Sequence, residues 1–365
     1  MKVREYAALA VLAAVSVALW LAPGPRPTVQ GRTPATVGEV VETDDSLVAV
    51  HGLVRFGTQR LKVRLDDGRV FPAENELRAQ RELDKTFSVG DAVVVGEPKS
   101  DGDTLIARDH WRLGRAMWLF GAFAGLLWLF GGTVGLRALF TFVFCCLAVW
   151  KLLVPLTLSG WPASATAFAT VLVLTAVIMY FVAGPTRQGV VAFAGSMLGV
   201  GASLALAHFA AVWLKVDGAT LPFVQQLLYS GHSGLDIQDI FAGTMVLSAS
   251  GALMDLSMDI AAGVREVKLH NRTLGFGELL RSGLRIGRAV TGTMTTTLLL
   301  AYSGGYLTLL MVFAAEGVRP ADFVNSTLVS AELVKTLVGS FGLVLVAPFT
   351  AVVAAWLYGR PTAEN

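Results

Sequence analysis

From Arg115 onward, apolar runs recur with only short polar connections between them, at 116–134, 138–158, 163–183, 189–213, 239–263, 287–314 and 328–358. A helix rising 1.5 Å per residue over such a run crosses a hydrocarbon core of about 30 Å. An earlier run, Tyr6–Leu21, follows Lys2 and Arg4 and stops at Ala22-Pro23-Gly24-Pro25. The pattern therefore predicts about eight transmembrane helices. A charged start followed by an apolar run also describes a signal peptide. The length of the run and the lack of a clean A-x-A site favour a retained helix within residues 1–22.

Residues 28–111 change period. Short runs of β-formers alternate with polar positions, which predicts strands at Thr36–Glu42, Leu47–Arg55, Arg60–Leu65, Arg69–Pro72, Ala92–Val95 and Thr104–Arg108. Asp67-Gly68 is a hairpin signal, and Asp101-Gly102-Asp103 marks a second turn. Glu74–Asp84 reads as a short helix. Short strands of this number suit a small β-barrel with OB-like topology. The expected fold is a membrane all-α bundle carrying an inserted extracytoplasmic small β-barrel. Its parts are a first helix at 1–22, the β domain at 28–111, a seven-helix membrane domain at 115–358 and a tail at 359–365.

Charge adds orientation. Hydrophobic residues make up 54% of the chain and the net charge is only +2, which excludes a nucleic-acid partner and an ordinary soluble domain. The basic residues gather in alternate connections: Arg137, Arg187, the stretch holding Arg265, Lys268, Arg272, Arg281, Arg285 and Arg288, and Arg360. Cytoplasmic loops carry such an excess, so both termini are expected in the cytoplasm, with the β domain outside a plasma (inner) membrane. Arg108, Arg112 and Arg115 run against this count. Cys145 and Cys146 are adjacent in an apolar run, where they suit packing better than a disulfide or a metal site. No G-x-x-x-x-G-K-[ST] loop is present, and neither a cofactor nor a metal is expected.

Candidate chemistry centres on Tyr229–Lys268, where Asp255 and Asp259 lie inside an apolar run. An ionisable group at mid-membrane costs roughly 2.5–3.5 kcal/mol on insertion scales, so these acids are expected to face protein. Four-residue spacing puts both on one helical face, where two close carboxylates can hold a proton near neutrality. The competing expectation pairs them with Arg265, Lys268 or an arginine of the next helix. Lys151 is placed to snorkel or to meet an acid, and His208 reads as a packing histidine. Glu332 and Lys335 are spaced to pair with each other. Thr291–Thr297 is rich in threonine and glycine, and Tyr302-Ser303-Gly304-Gly305-Tyr306 predicts a kink or an unwound turn. The loop Tyr229–Asp236 reads as a helix entry in preference to a re-entrant or gating element on the outer side. Gly121 with Gly125, and Gly195 with Gly199, have the spacing of close helix packing.

FGTQRLKVRL (56–65), AENELRAQRELDKTFSVGDAVVV (73–95), FAGTMVLSASGALMDLSMDIAAGVREV (241–267) and YSGGYLTLL (302–310) together resemble the YibE/F family of multispan bacterial membrane proteins, its YibE-like members in particular. The resemblance implies a membrane protein, with some members regarded as transporters of unestablished substrate. In the family's GA-x-MD pattern the acid matches Asp255, while Asp259 falls where a small residue is more usual. The expected function is secondary transport or a permease-like role. Asp255, Asp259, Ser303, Gly304, Gly305, Glu332 and Lys335 are the coupling candidates, and the partners are the bilayer, a small ion or solute, and a second copy or other membrane protein. The alternative is a membrane scaffold or sensor whose β domain binds an envelope component. Acid–base hydrolysis is disfavoured, because acids one turn apart on one helix cannot approach a substrate from opposite sides. No enzyme activity is expected.

Overall fold

A computed structural model describes residues 2–22, 24, 34–81, 83–98, 100 and 102–359. The expected turn residue Asp101, the Pro23 and Pro25 stop, Arg360 and the tail beyond it lie outside the described residues. The chain divides into two compact units, residues 29–130 and residues 1–28 with 131–365.

The first unit holds β1 (Ala35–Asp44), β2 (Val48–His51), β3 (Val54–Leu65), β4 (Val70–Arg78), β5 (Ala92–Gly96) and β6 (Leu105–His110). β1 pairs with both β3 and β5, β3 with β4, β5 with β6, and β4 runs parallel to β6. The circuit β1-β3-β4-β6-β5 therefore closes on itself as a five-strand barrel, with β2 added as a hairpin on β3. This order is the OB-like one. Alternation fills the interior: Leu61, Val63 and Leu65 of β3 and Phe71 and Ala73 of β4 point inward beside Val40, Phe87, Val93 and Val95. Gly68, at φ 83°, turns β3 into β4 as the Asp67-Gly68 signal predicts.

Two expectations are corrected here. The short helix at Glu74–Asp84 is instead the second half of β4, because Phe71, Ala73, Asn75 and Leu77 bury alternately and pair along β3. The Asp84 carboxylate accepts the Arg78 and Gln80 N–H groups, which ends the strand in a turn. The strand expected at Leu47–Arg55 breaks at Gly52 into β2 and the start of β3.

The helices are α1 (Lys2–Leu21), α2 (Leu113–Ala148), a π-helical turn (Val149–Leu153), α3 (Val154–Leu158), α4 (Ala163–Ala183), α5 (Arg187–Trp213), α6 (Val224–Tyr229), α7 (Ile237–His270), α8 (Phe276–Gly305), α9 (Leu307–Ala315), α10 (Pro320–Asn325) and α11 (Thr327–Gly359). Among the described residues, five helical stretches are long and apolar enough to cross a membrane, or six if the bent pair α8–α9 is one span. The difference from eight has two sources. The runs at 116–134 and 138–158 lie on one long stretch, Leu113–Leu158, which a non-helical break at Gly132 (φ 54°, ψ −127°) divides into two helices, the second running into a π-helical turn at Val149–Leu153. Of α1 only the apolar segment Leu9–Leu21 enters this count, so the first run is not among the five.

In the second unit, α7 and α11 are the hub. α7 buries Phe241, Met245, Leu253, Leu256 and Ile260 completely. A Cβ on Gly195 or Gly199 of α5 would strike Thr350 or Val346 of α11, so this pair serves close packing. Gly121 and Gly125 of the first unit have open space where a Cβ would stand. Leu12 of α1 packs with Phe144, Ala148 and Leu174. Among the described residues Lys151 meets no acid; its Nζ donates to the Ala22 carbonyl at the end of α1, 2.6 Å away.

Candidate functional site

α7 has two unlike faces. The residues that seal against α4, α5, α8 and α11 are apolar or self-satisfied: Ser257 Oγ meets Thr350 Oγ1 at 3.1 Å, and Thr175 Oγ1 of α4 donates to the Met254 thioether at 3.3 Å. The opposite face carries Thr244, Ser248, Gly251, Asp255 and Asp259, all exposed. Steps of three and four residues keep this set on one stripe of a helix. Gly251 leaves open space in its middle.

Neither Asp255 nor Asp259 makes a hydrogen bond or ion pair among the described residues. The cations that the sequence offers are used elsewhere. Arg265 Nη1 donates to Gln188 Oε1 at 3.0 Å, and Lys268 Nζ donates to the Arg272 and Leu274 carbonyls, each at 2.8 Å. Arg281, Arg285 and Arg288 are exposed on α8 and form no ion pair with either acid.

The predicted interruption of the next span is present. α8 ends at Gly305, Tyr306 caps it, and α9 leaves at 65°. Ser303 Oγ is spent on its own helix, donating to the Leu299 carbonyl at 2.6 Å, and Gly304 and Gly305 stand in open space. The residue that joins this break to the α7 stripe is Tyr302, whose hydroxyl donates to Ser248 Oγ at 3.1 Å. Thr291, Thr295, Thr296 and Thr297 donate back to carbonyls four residues earlier, which leaves their oxygens as acceptors. Glu332 and Lys335 pair with each other at 2.7 Å, and the ammonium also lies 5.7 Å from the centre of the Phe241 ring. The structure thus groups Asp255 and Asp259 with Ser248 and Tyr302, leaves Ser303–Gly305 at the bend, and gives Glu332–Lys335 a local partner.

A second polar cluster joins residues that the sequence read separately. Asp236 caps α7 by accepting the Asp239 N–H. Asp239 in turn accepts the Ser164 N–H at the start of α4 and meets His208 Nε2 of α5 at 3.3 Å. His208 Nδ1 lies 3.0 Å from the Leu204 carbonyl, which can only accept, so Nδ1 carries hydrogen. Nothing local signals the pairing of His208 with Asp239, since the two residues are 31 positions apart.

Apolar helices of this length, packed around a hub helix, are compatible with a helical membrane protein. Residues 119–360 match the family described as YibE/F-like protein, and the chain belongs to that family. The match begins after the barrel, so the likeness noted at 56–65 and 73–95 lies outside the matched region. No curated protein and no solved structure matches the chain.

Proposed function

We propose that the chain is a secondary transporter or permease-like subunit, moving a cation or small solute across the plasma membrane with Asp255 as the coupling carboxylate. One observation carries the reading: two carboxylates lie without a cationic partner among the described residues, on the polar stripe of the helix that is otherwise the most buried span of the bundle. Carboxylates in an apolar slab are retained where they bind an ion or a proton, since lipid offers them nothing. Tyr302 and Ser248 extend the stripe with hydroxyl oxygens, and the bend at Tyr306 gives a span that can rearrange beside it. In this reading the barrel is extracytoplasmic, both termini are cytoplasmic, the bundle has about eight spans once Leu113–Leu158 is divided at Gly132 and α1 is counted, and no catalytic step is assigned.

The test is ion and solute flux in proteoliposomes, wild type beside Asp255→Asn. Flux should vanish in the variant while its thermal melt stays in place. A destabilised variant whose surviving fraction transports normally would make Asp255 a structural residue. The second reading, a scaffold or sensor, draws support from the barrel, which has a closed sheet and a core of its own. It predicts wild-type flux no greater than that of empty liposomes.

A further inference from the structure

The three arginines that defy the charge rule flank the point where β6 gives way to α2, between His110 and Leu113. There the first unit holds a cavity of about 790 Å³ whose lining includes Asp91, His110, Arg112, Arg115, Trp118 and Leu119. Most of its charges are already matched. Asp91 accepts the Ser88 N–H at 2.8 Å and lies 3.8 Å from His110 Nδ1, whose ring packs against Phe87 at a tilt of 46°. Arg112 donates to Asp109 at 2.7 Å, and Lys85 approaches the same carboxylate at 3.4 Å. Burial by itself would raise the Asp109 carboxyl, but Arg112, the His110 N–H and Lys85 together hold it below the usual carboxylate range, so it stays ionised and Arg112 stays engaged.

Arg115 is different. It is exposed at the cavity wall and has no hydrogen bond or ion pair among the described residues. One turn further along α2, Trp118 is 84% exposed and Leu119 76% exposed. An uncommitted guanidinium beside an uncovered indole and aliphatic side chain matches one kind of molecule: an amphiphile with an anionic head. Guanidinium pairs phosphate oxygens in bidentate fashion, and tryptophan favours the boundary between headgroups and acyl chains. The cavity also opens at the first residues of the longest apolar helical stretch, where lipid headgroups would stand.

We propose that this cavity binds an anionic phospholipid, with its phosphate on Arg115 and its glycerol and upper acyl segments against Trp118 and Leu119. The site does not require transport; its account of basic residues on the side of the membrane where the charge rule disfavours them rests on the orientation proposed above.

The experiment titrates dioctanoyl phosphatidylglycerol, dioctanoyl phosphatidylcholine and free glycerol phosphate into the full-length chain in a neutral maltoside detergent. Phosphatidylglycerol should saturate a site on the wild type, with phosphatidylcholine weaker and glycerol phosphate weaker still. Arg115→Gln should lose about tenfold in affinity for phosphatidylglycerol, the scale of one charge-assisted phosphate contact. Trp118→Ala should also weaken it. Arg319→Gln, which removes an arginine already paired with Asp322, should bind as the wild type does. Undiminished binding by Arg115→Gln, or an equal loss in Arg319→Gln, would overturn the site. Glycerol phosphate binding as tightly as the lipid would replace it with a free-anion site.

Discussion

Gln59, sealed inside the barrel at 1% exposure, uses both ends of its amide, whereas Asp255, on the hub helix of the bundle, uses neither carboxylate oxygen among the described residues. Gln59 Nε2 donates to Asp45 and to the Phe87 carbonyl, and its Oε1 accepts from the Phe87 N–H and from Asn75. The network clasps the segment after β4 onto the sheet, so here polarity is structural. On α7 polarity is left open, at a site whose packing does not depend on it. A satisfied polar group is part of the fold; an unsatisfied one on a rigid support is available to something else.

The sharpest way to break this contrast is Gln59→Ala. It strands a buried N–H and carbonyl, and should cost about 3 kcal/mol. Hydrogen exchange of β3 and β4 peptides in the full chain measures it, and unaltered protection would mean that the clasp is dispensable. Gly199→Val comes next. The added side chain meets Val346 at the α5–α11 contact, and overpacking of this kind costs roughly 1–3 kcal/mol, read as a lower melting temperature.

Asp255→Asn should change stability by less than about 0.5 kcal/mol, because no partner is lost. A large drop would show that the carboxylate holds the bundle together and would erase the distinction drawn here. The smallest effect concerns Asp109, whose folded carboxyl titrates below its ordinary value. Its contribution is full above the unfolded pKa of about 3.9 and fades as pH falls through the lower folded value, so barrel protection should decline only in that acid window. The same decline in Asp109→Asn would assign the acid response to other groups.

Much of this was legible along the chain, and the exceptions have physical causes. The break at Tyr302–Tyr306 follows from two adjacent glycines, and Glu332 with Lys335 follows from spacing. β4 was hidden because Ala73-Glu74-Asn75-Glu76-Leu77 holds good helix formers, while its burial follows a period of two. His208 and Asp239 meet only through the packing of α5 on α7, which no local pattern encodes. The open face of α7 was legible as a spacing, yet its lack of partners depends on where Arg265 and Lys268 turn, and that is set by Gln188 and by the carbonyls of Arg272 and Leu274.

The bond from Lys151 to the Ala22 carbonyl joins positions 129 residues apart, and that separation sets an order of events at the ribosome. At a synthesis rate of about 5–20 residues per second, roughly 6–26 s pass between the emergence of the end of α1 and that of Lys151. The whole barrel sequence is made in that interval. Small β-barrels fold within milliseconds to seconds, so the sheet has time to close before the end of α1 finds its cation. α1 therefore waits as a lone nascent helix, its last carbonyls unmet, and a slowed ribosome lengthens the wait.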